Sequence, residues 1–273
     1  AITGTNNMTV LTMRMHRLIP AIAMSLLMAA CSTMPGREGN VDAVLAASGI
    51  DAQLTRLQQP LQPGKSSGPT MLIPDEWLTI VNTTVAESLK PAEIRQELRS
   101  ALSKNLSSHE LASVQHFYES ETGRTVVALE SGQSSVPGTI RLPATTLDEL
   151  ARTTGAGKAA SMLAERALND AVDIAFEHRC FGLDKVPFAG MLSGVIKKTQ
   201  LGALRDSVNT SIRERYTGLT ERDAEAYLDF ARSTAGSKFF NTRTSVLTTY
   251  AGRAGDSLSS KLSDAVTAIC KKP

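Results

Sequence analysis

Two short stretches of the sequence come close to patterns that carry chemistry. Residues 152–158, Arg-Thr-Thr-Gly-Ala-Gly-Lys, hint at a phosphate-binding loop, in which glycine backbone N–H groups and a lysine hold phosphate oxygens. The stretch lacks the first glycine and the final serine or threonine of that motif, and no strand pattern precedes it, so we reject this interpretation. Residues 190–194, Gly-Met-Leu-Ser-Gly, do not have the G-x-S-x-G spacing of a hydrolase nucleophile turn, and a helical context is wrong for one.

Histidine and cysteine side chains offer two further candidates. His109, His116 and Glu119 could share one side of a helix, but the second histidine of the H-E-x-x-H zinc motif is missing. His178 precedes Cys180 by two positions, as a metal or thiolate pair could, yet a helix C-terminus also favours a histidine electrostatically. Polar residues on a solvated face explain the first set more simply. The sequence therefore predicts no catalytic residue, no metal ligand and no cofactor.

The surroundings of Cys31 predict a different chemistry, covalent lipidation. Two arginines precede a mostly apolar run at residues 18–30, and small residues end that run just before the cysteine. This order is typical of a secretory signal peptide, and the run is shorter than the roughly 20 residues that span a bilayer. Residues 27–31 resemble the lipobox of bacterial lipoproteins, with Met28 where that family most often has leucine. A plain cleaved signal with an ordinary Cys31 remains the alternative.

The lipobox resemblance implies a location and an attachment. Residues 1–30 would comprise the signal peptide and upstream residues, the lipid would be carried by Cys31, and residues 31–40 would form a short tether. Ser32 follows the cysteine, and in enteric-type bacteria this favours the outer membrane. We therefore expect a protein of the bacterial cell envelope that is attached to the membrane through its lipid and faces the periplasm.

The charge balance argues against nucleic acid as a partner. The chain has 29 basic and 27 acidic residues, and the two arginines of the signal region account for the difference. The remainder is neutral, so it has no overall field to attract polyanions. Aromatic residues make up only 4% of the chain, which leaves little material for base stacking. Alanine, leucine, serine and threonine dominate, and alternating β-branched runs are scarce, so the composition favours an all-α fold.

Two cysteines remain once Cys31 is lipidated. In an oxidising compartment, Cys180 and Cys270 are most simply a disulfide. Such a bond would close a loop of about 90 residues and stabilise the fold by roughly 4–5 kcal/mol in the chain-entropy treatment. Two free buried thiols are the alternative interpretation.

An internal repeat organises the chain. Residues 106–123 and 219–236 align without a gap at an offset of 113 residues. The shared motif positions are Phe117, Ser120 and Gly123 in the first segment and Phe230, Ser233 and Gly236 in the second. The chain is therefore predicted to contain two duplicated helical units, at residues 41–135 and 145–273, with a Gly- and Pro-rich boundary at residues 131–143.

The motif predicts a capped helix with one apolar face. Ser107 and Glu110 have the spacing of a capping box, and the second segment has the same spacing at Thr220 and Asp223. Small residues after the phenylalanine would let another helix approach closely, or the glycine would end the helix in a left-handed cap. Packing explains the motif more simply than a ligand groove. Further helices are predicted at residues 41–59, 76–89, 91–104, 146–178, 192–215 and 237–269.

The first motif segment also resembles a known family. Its pattern, Leu-Ser, then Glu-Leu, then Phe-Tyr-x-Ser-x-x-Gly, is similar to that of exported bacterial proteins catalogued as domain of unknown function two-zero-five-nine. The resemblance is clearest over residues 85–130, with a looser echo at 200–245, where Ala231 replaces the tyrosine. It implies an all-helical fold and an exported location, and it brings no catalytic residues.

Taken together, these patterns favour a lipid-anchored helical protein that binds or scaffolds another envelope protein. The alternative is a carrier or chaperone for an apolar ligand held between the two helical halves, with residues 181–191 as a candidate mouth. An enzyme would need convergent histidine or acidic residues in a pocket, and the sequence leans against one.

Overall fold

Helices make up nearly all of the chain for which a computed structural model gives a description, namely residues 40–57, 75–132, 142–177 and 189–270. No strand occurs within these ranges. The prediction of an all-α fold is confirmed. The signal region, Cys31 and the tether up to residue 39 lie outside the described residues.

The first two helices of the described residues are α1 (Val41–Ala47) and α2 (Ile50–Leu57). The prediction of one helix over residues 41–59 was wrong, because the chain turns at Gly49, whose φ is +65°. A Cβ atom at this glycine would lie 2.5 Å from the Cγ1 atom of Val127. Only glycine combines this left-handed backbone with so close an approach.

Helices α3 (Asp75–Ser88) and α4 (Pro91–Asn105) follow close to their predicted positions. Pro91 stands at the first position of α4, where its missing N–H group costs no hydrogen bond. Every fourth residue of α4 then faces inward, and the buried positions are Ile94, Leu98 and Leu102. The opposite face of α4 is left to solvent.

The next four helices are α5 (Ser108–Glu119), α6 (Glu121–Glu130), α7 (Ala144–Thr154) and α8 (Lys158–Glu177). The prediction of a single helix over residues 146–178 was wrong. Gly155 and Gly157 have φ angles of 67° and 76° and form a turn between α7 and α8. At Gly157 a Cβ atom would lie 2.4 Å from the Cδ1 atom of Ile212, so the turn is packed against its neighbours.

The chain continues through α9 (Ala189–Arg215), a 3₁₀ turn (Tyr216–Gly218), α10 (Glu221–Arg232) and α11 (Thr234–Cys270). With 37 residues, α11 is about 55 Å long. It packs against α3, α4, α5, α7, α8 and α10.

One hydrophobic core serves both predicted repeats. Its fully buried side chains include Leu45, Ile94 and Tyr118 from the first and Leu150, Tyr227 and Phe240 from the second. The described residues all belong to one compact unit. The duplication itself and its boundaries stay a prediction. Among the described helices, none combines the length and the apolar character that a membrane crossing requires.

Candidate functional site

The first motif forms a tight corner between α5 and α6. The hydroxyl of Ser120 donates to the carbonyl oxygen of Phe117 at 2.6 Å and accepts from the backbone N–H of Gly123 at 3.0 Å. This serine therefore ends one helix and caps the next. A Cβ atom at Gly123 would lie 2.0 Å from the Phe117 carbonyl oxygen, which explains why the motif needs glycine there.

The second motif has the same local geometry between α10 and α11. Ser233 donates to the Phe230 carbonyl oxygen at 2.6 Å and accepts from the N–H of Gly236 at 3.0 Å. Of the two alternatives for the motif glycines, the left-handed cap was wrong, because the glycines with positive φ among the described residues are Gly49, Gly132, Gly155 and Gly157. The structure does show a close approach at each motif glycine, and the group that approaches is the backbone at the end of the preceding helix.

The two motifs pack directly on each other. The rings of Phe117 and Phe230 are stacked, with centroids 3.9 Å apart and planes 5° apart. Thr122 donates to Asp223 at 2.7 Å, so the first residues of α6 hold the start of α10. Glu110 at the start of α5 in turn lies 2.7 Å from the Nζ atom of Lys238 in α11. The motif phenylalanines therefore fill space between helices.

The strongest concentration of buried polar groups surrounds Glu130, the last residue of α6, which is 6% exposed. The hydroxyl groups of Tyr216 and Tyr227 donate to its Oε1 atom at 2.6 and 2.8 Å. The side-chain amide of Gln53 donates to Oε2 at 2.9 Å. One carboxylate thus joins α2, α6, the 3₁₀ turn and α10.

Arg243 of α11 completes this glutamate cluster, which we define as Gln53, Glu130, Tyr216, Tyr227 and Arg243. The guanidinium group lies 3.7 Å from Glu130 Oε2, and another of its nitrogens donates to the carbonyl oxygen of Thr154 at 3.2 Å. Burial by itself disfavours the charge of Arg243, but the nearby Glu130 carboxylate raises the pKa of this arginine. The bond from Arg243 to Thr154 ties the end of α7 to α11.

The tyrosines of the glutamate cluster are held in the protonated form. Burial, and then the negative charge of Glu130, raise the pKa of Tyr216 and of Tyr227 well above the usual value for a phenol. Tyr118 is also buried, and burial raises its pKa too, but its hydroxyl has no hydrogen-bond partner among the described residues. The Tyr216 and Tyr227 hydroxyls act as hydrogen-bond donors to Glu130, and all three tyrosines are buried away from solvent.

Sequence reasoning missed the glutamate cluster for a physical reason. Tyr227 lies on the apolar face that was predicted for the helix of the second motif. Tyr216 is buried in the 3₁₀ turn that follows α9. Glu130 and Arg243 carried no signal, because a single charged residue inside a helix is far more often exposed than buried.

The reactive residues weighed in the sequence are dispersed. His109, His116 and Glu119 are all exposed on α5, and Ser193 lies within α9. Across the described ranges, no three or more histidine, cysteine or acidic residues come together as metal ligands. Cys180 and most of the candidate mouth at 181–191 lie outside the described residues. Cys270 is described only as the last residue of α11, so the disulfide stays a prediction.

An open groove of about 540 Å³ runs along the outer face of α4. Within the described part of the chain, its lining comes from one face of α4 alone, namely Ala92, Arg95, Gln96, Arg99, Ser100 and Ser103. Arg95 donates to Asp51 at 2.9 Å, and Arg99 donates to Asp42 at 2.6 Å, so both arginines also bind the first two helices.

Comparison with protein-family models finds no match, and no curated protein or solved structure matches the chain either. The resemblance to the domain of unknown function two-zero-five-nine therefore stays a prediction. The fold and the glutamate cluster define the class of protein. It is all-helical, and its one core contains a buried ion pair between Glu130 and Arg243.

Proposed function

We propose that the chain is a lipid-anchored helical protein of the bacterial cell envelope, on the outer membrane, that binds or scaffolds another envelope protein. The lipobox-like residues 27–31, which end at Cys31, support the attachment. The balanced charge of the rest of the chain supports a protein partner over a polyanion.

The observation that carries the choice of a binding protein is the glutamate cluster. The carboxylate of Glu130 is occupied by two tyrosine hydroxyls and an amide, and Arg243 neutralises its charge. These groups come from different parts of the chain and contact one another inside the core. Such a network favours one unique packing of the helices, which suits a rigid body that presents fixed surfaces.

The packing between the motifs supports binding at a surface over the carrier alternative. A carrier would hold its apolar ligand between the two predicted halves. At the place where the two motifs meet, stacked and edge-on rings fill that space, with Phe117 on Phe230 and Tyr118 against Phe239. We therefore do not propose an apolar ligand.

Two measurements test the proposal. Mass spectrometry of the protein extracted gently from its own membrane should show an acyl-modified Cys31 as the first residue. Chemical cross-linking in cells followed by affinity capture should recover one specific envelope protein, and Cys31→Ser should reduce its recovery because the protein is no longer held at the membrane. An unmodified Cys31, or a capture without a specific partner, would contradict the proposal.

A further inference from the structure

The two motif segments contact each other reciprocally. Glu110, at the start of the first motif helix, is held by Lys238 from the helix that follows the second motif. Its counterpart in the alignment, Asp223, is held by Thr122 from the helix that follows the first motif. The helices repeat this pattern, because α5 packs on α11 while α10 packs on α6. Contacts that are exchanged in this way between equivalent elements are typical of two units related by a two-fold axis.

Two equivalent aromatic rings meet at the centre of this arrangement. Phe117 and Phe230 occupy the same motif position, and their rings lie face to face with centroids 3.9 Å apart. A residue beside a two-fold axis contacts its own equivalent, and these two rings do so. The corners beside them are alike as well, since Ser120 and Ser233 make the same two hydrogen bonds with the same lengths.

The buried ion pair also joins equivalent positions. Glu130 and Arg243 are separated by the offset of 113 residues that relates the two motifs, and their side chains lie 3.7 Å apart. The same register holds between the motif and the ion pair, where buried Val126 corresponds to buried Phe239. Equal charges at this position in both segments would meet inside the core without a counter-ion, which is strongly unfavourable. The opposite charges make each segment complementary to the other and unsuited to a copy of itself.

We infer that each motif segment is a dimerisation surface whose partner is the other segment, and that Glu130 and Arg243 determine this specificity. Two first segments would bury two glutamates without a cation, and two second segments would bury two arginines without an anion. The body is therefore a heterotypic pair within one chain, and its buried charges reject both homotypic pairs. This pairing goes beyond the proposed binding of an envelope protein and does not depend on lipid attachment.

The test lets the two segments exchange partners. A protease recognition sequence inserted after residue 137, in the predicted boundary, allows the folded chain from residue 32 onward to be cut into a first and a second piece. One cut protein carries Glu130→Arg and the other carries Arg243→Glu, so that each contains two like charges. The two proteins are mixed, unfolded in urea and refolded by dilution. One of them is labelled with ¹⁵N, so native mass spectrometry distinguishes all the pairs that form.

Pairs with opposite charges at the two positions should exceed pairs with like charges by more than about a hundredfold, the lower end of the effect of breaking a buried ion pair. Where a like-charge variant does not fold alone, mixing the two should restore the helical circular dichroism signal. In the cut wild type, the pieces should pair again as first with second, without pairs of two first or two second pieces.

A matched control uses an exposed ion pair that also joins the two pieces. Glu87 and Lys261 form this pair, and they are not equivalent in the alignment. Mixing Glu87→Lys with Lys261→Glu should give a preference of at most about fivefold, because exposed pairs contribute little. Homotypic pairs in the wild type, cut pieces that do not pair again, a random distribution in the buried-charge mixture, or an equal preference in the control would each overturn the inference.

Discussion

Removing one hydroxyl group from either of two buried tyrosines should have opposite effects on stability. Tyr216 donates to Glu130 at 2.6 Å inside the core, and a hydrogen bond to a charged group contributes about 1.5–3 kcal/mol. Tyr216→Phe should lower the free energy of unfolding by about that amount. Tyr118 is 1% exposed and its hydroxyl has no partner among the described residues. Tyr118→Phe relieves this desolvated hydroxyl and should raise the free energy of unfolding by up to about 1 kcal/mol.

The comparison is controlled because both variants delete the same atom from the same residue type in one core. Urea unfolding followed by far-ultraviolet circular dichroism gives the free energy and its slope with denaturant, and the slope should stay unchanged. If Tyr118→Phe destabilises as much as Tyr216→Phe, then the Tyr118 hydroxyl has a partner in solution. The assignment of Glu130 as the centre of the buried polar network would be refuted if Tyr216→Phe left the free energy of unfolding unchanged, because its hydroxyl would then contribute no bond to the carboxylate.

Three further predictions follow from the caps and the ionisable groups. Gly123→Ala should lower the free energy of unfolding by about 1–3 kcal/mol. Gly194→Ala, where a Cβ atom meets nothing within 4 Å, should instead raise it by up to about 1 kcal/mol. Thermal unfolding distinguishes the two variants, and equal effects would contradict the cap geometry. The Lys238 contact and the Ser107 backbone N–H lower the pKa of Glu110 to about 2, so its contribution is complete above about pH 5 and is lost as the pH falls toward 2. Denaturant titrations across that range should show that the free energy of unfolding falls less steeply with decreasing pH in Glu110→Gln than in the wild type. The same pH dependence in both proteins would contradict this prediction. Because the buried tyrosines have raised pKa values, stability should decline as the pH rises above about 10, and phenolate absorbance from these residues should appear only together with loss of helicity.

The parts of the fold that the sequence predicted are those set by local chemistry. The α5 cap was visible because a serine and a glutamate three residues apart have a recognisable spacing, and the structure forms both reciprocal bonds at Ser107 and Glu110. The buried face of α4 was visible for a similar reason, because its apolar residues repeat every four positions. In both cases the determining contacts lie within one or two helical turns.

The parts that were missed depend on contacts distant in sequence. The breaks at Gly49 and Gly155 are fixed by the side chains of Val127 and Thr244, which pack where a Cβ atom would stand. The residues near either glycine in the sequence do not indicate that this distant side chain will pack there. A glycine inside an apolar pattern is also compatible with a continuous helix. The burial of Glu130 likewise depends on donors 77 to 97 positions away, which no local pattern contains.

The long sequence separations within the glutamate cluster also set an order of events. Glu130 can be made early in synthesis, but Arg243, which neutralises it, lies 113 positions further on. Until α11 has formed, closing the core around Glu130 would bury a charge without its counter-ion, which is strongly unfavourable. We therefore expect the core around Glu130 to close only after α11 has formed. For the export that we propose, the late position of Arg243 in the sequence would delay complete folding until the whole chain has been made.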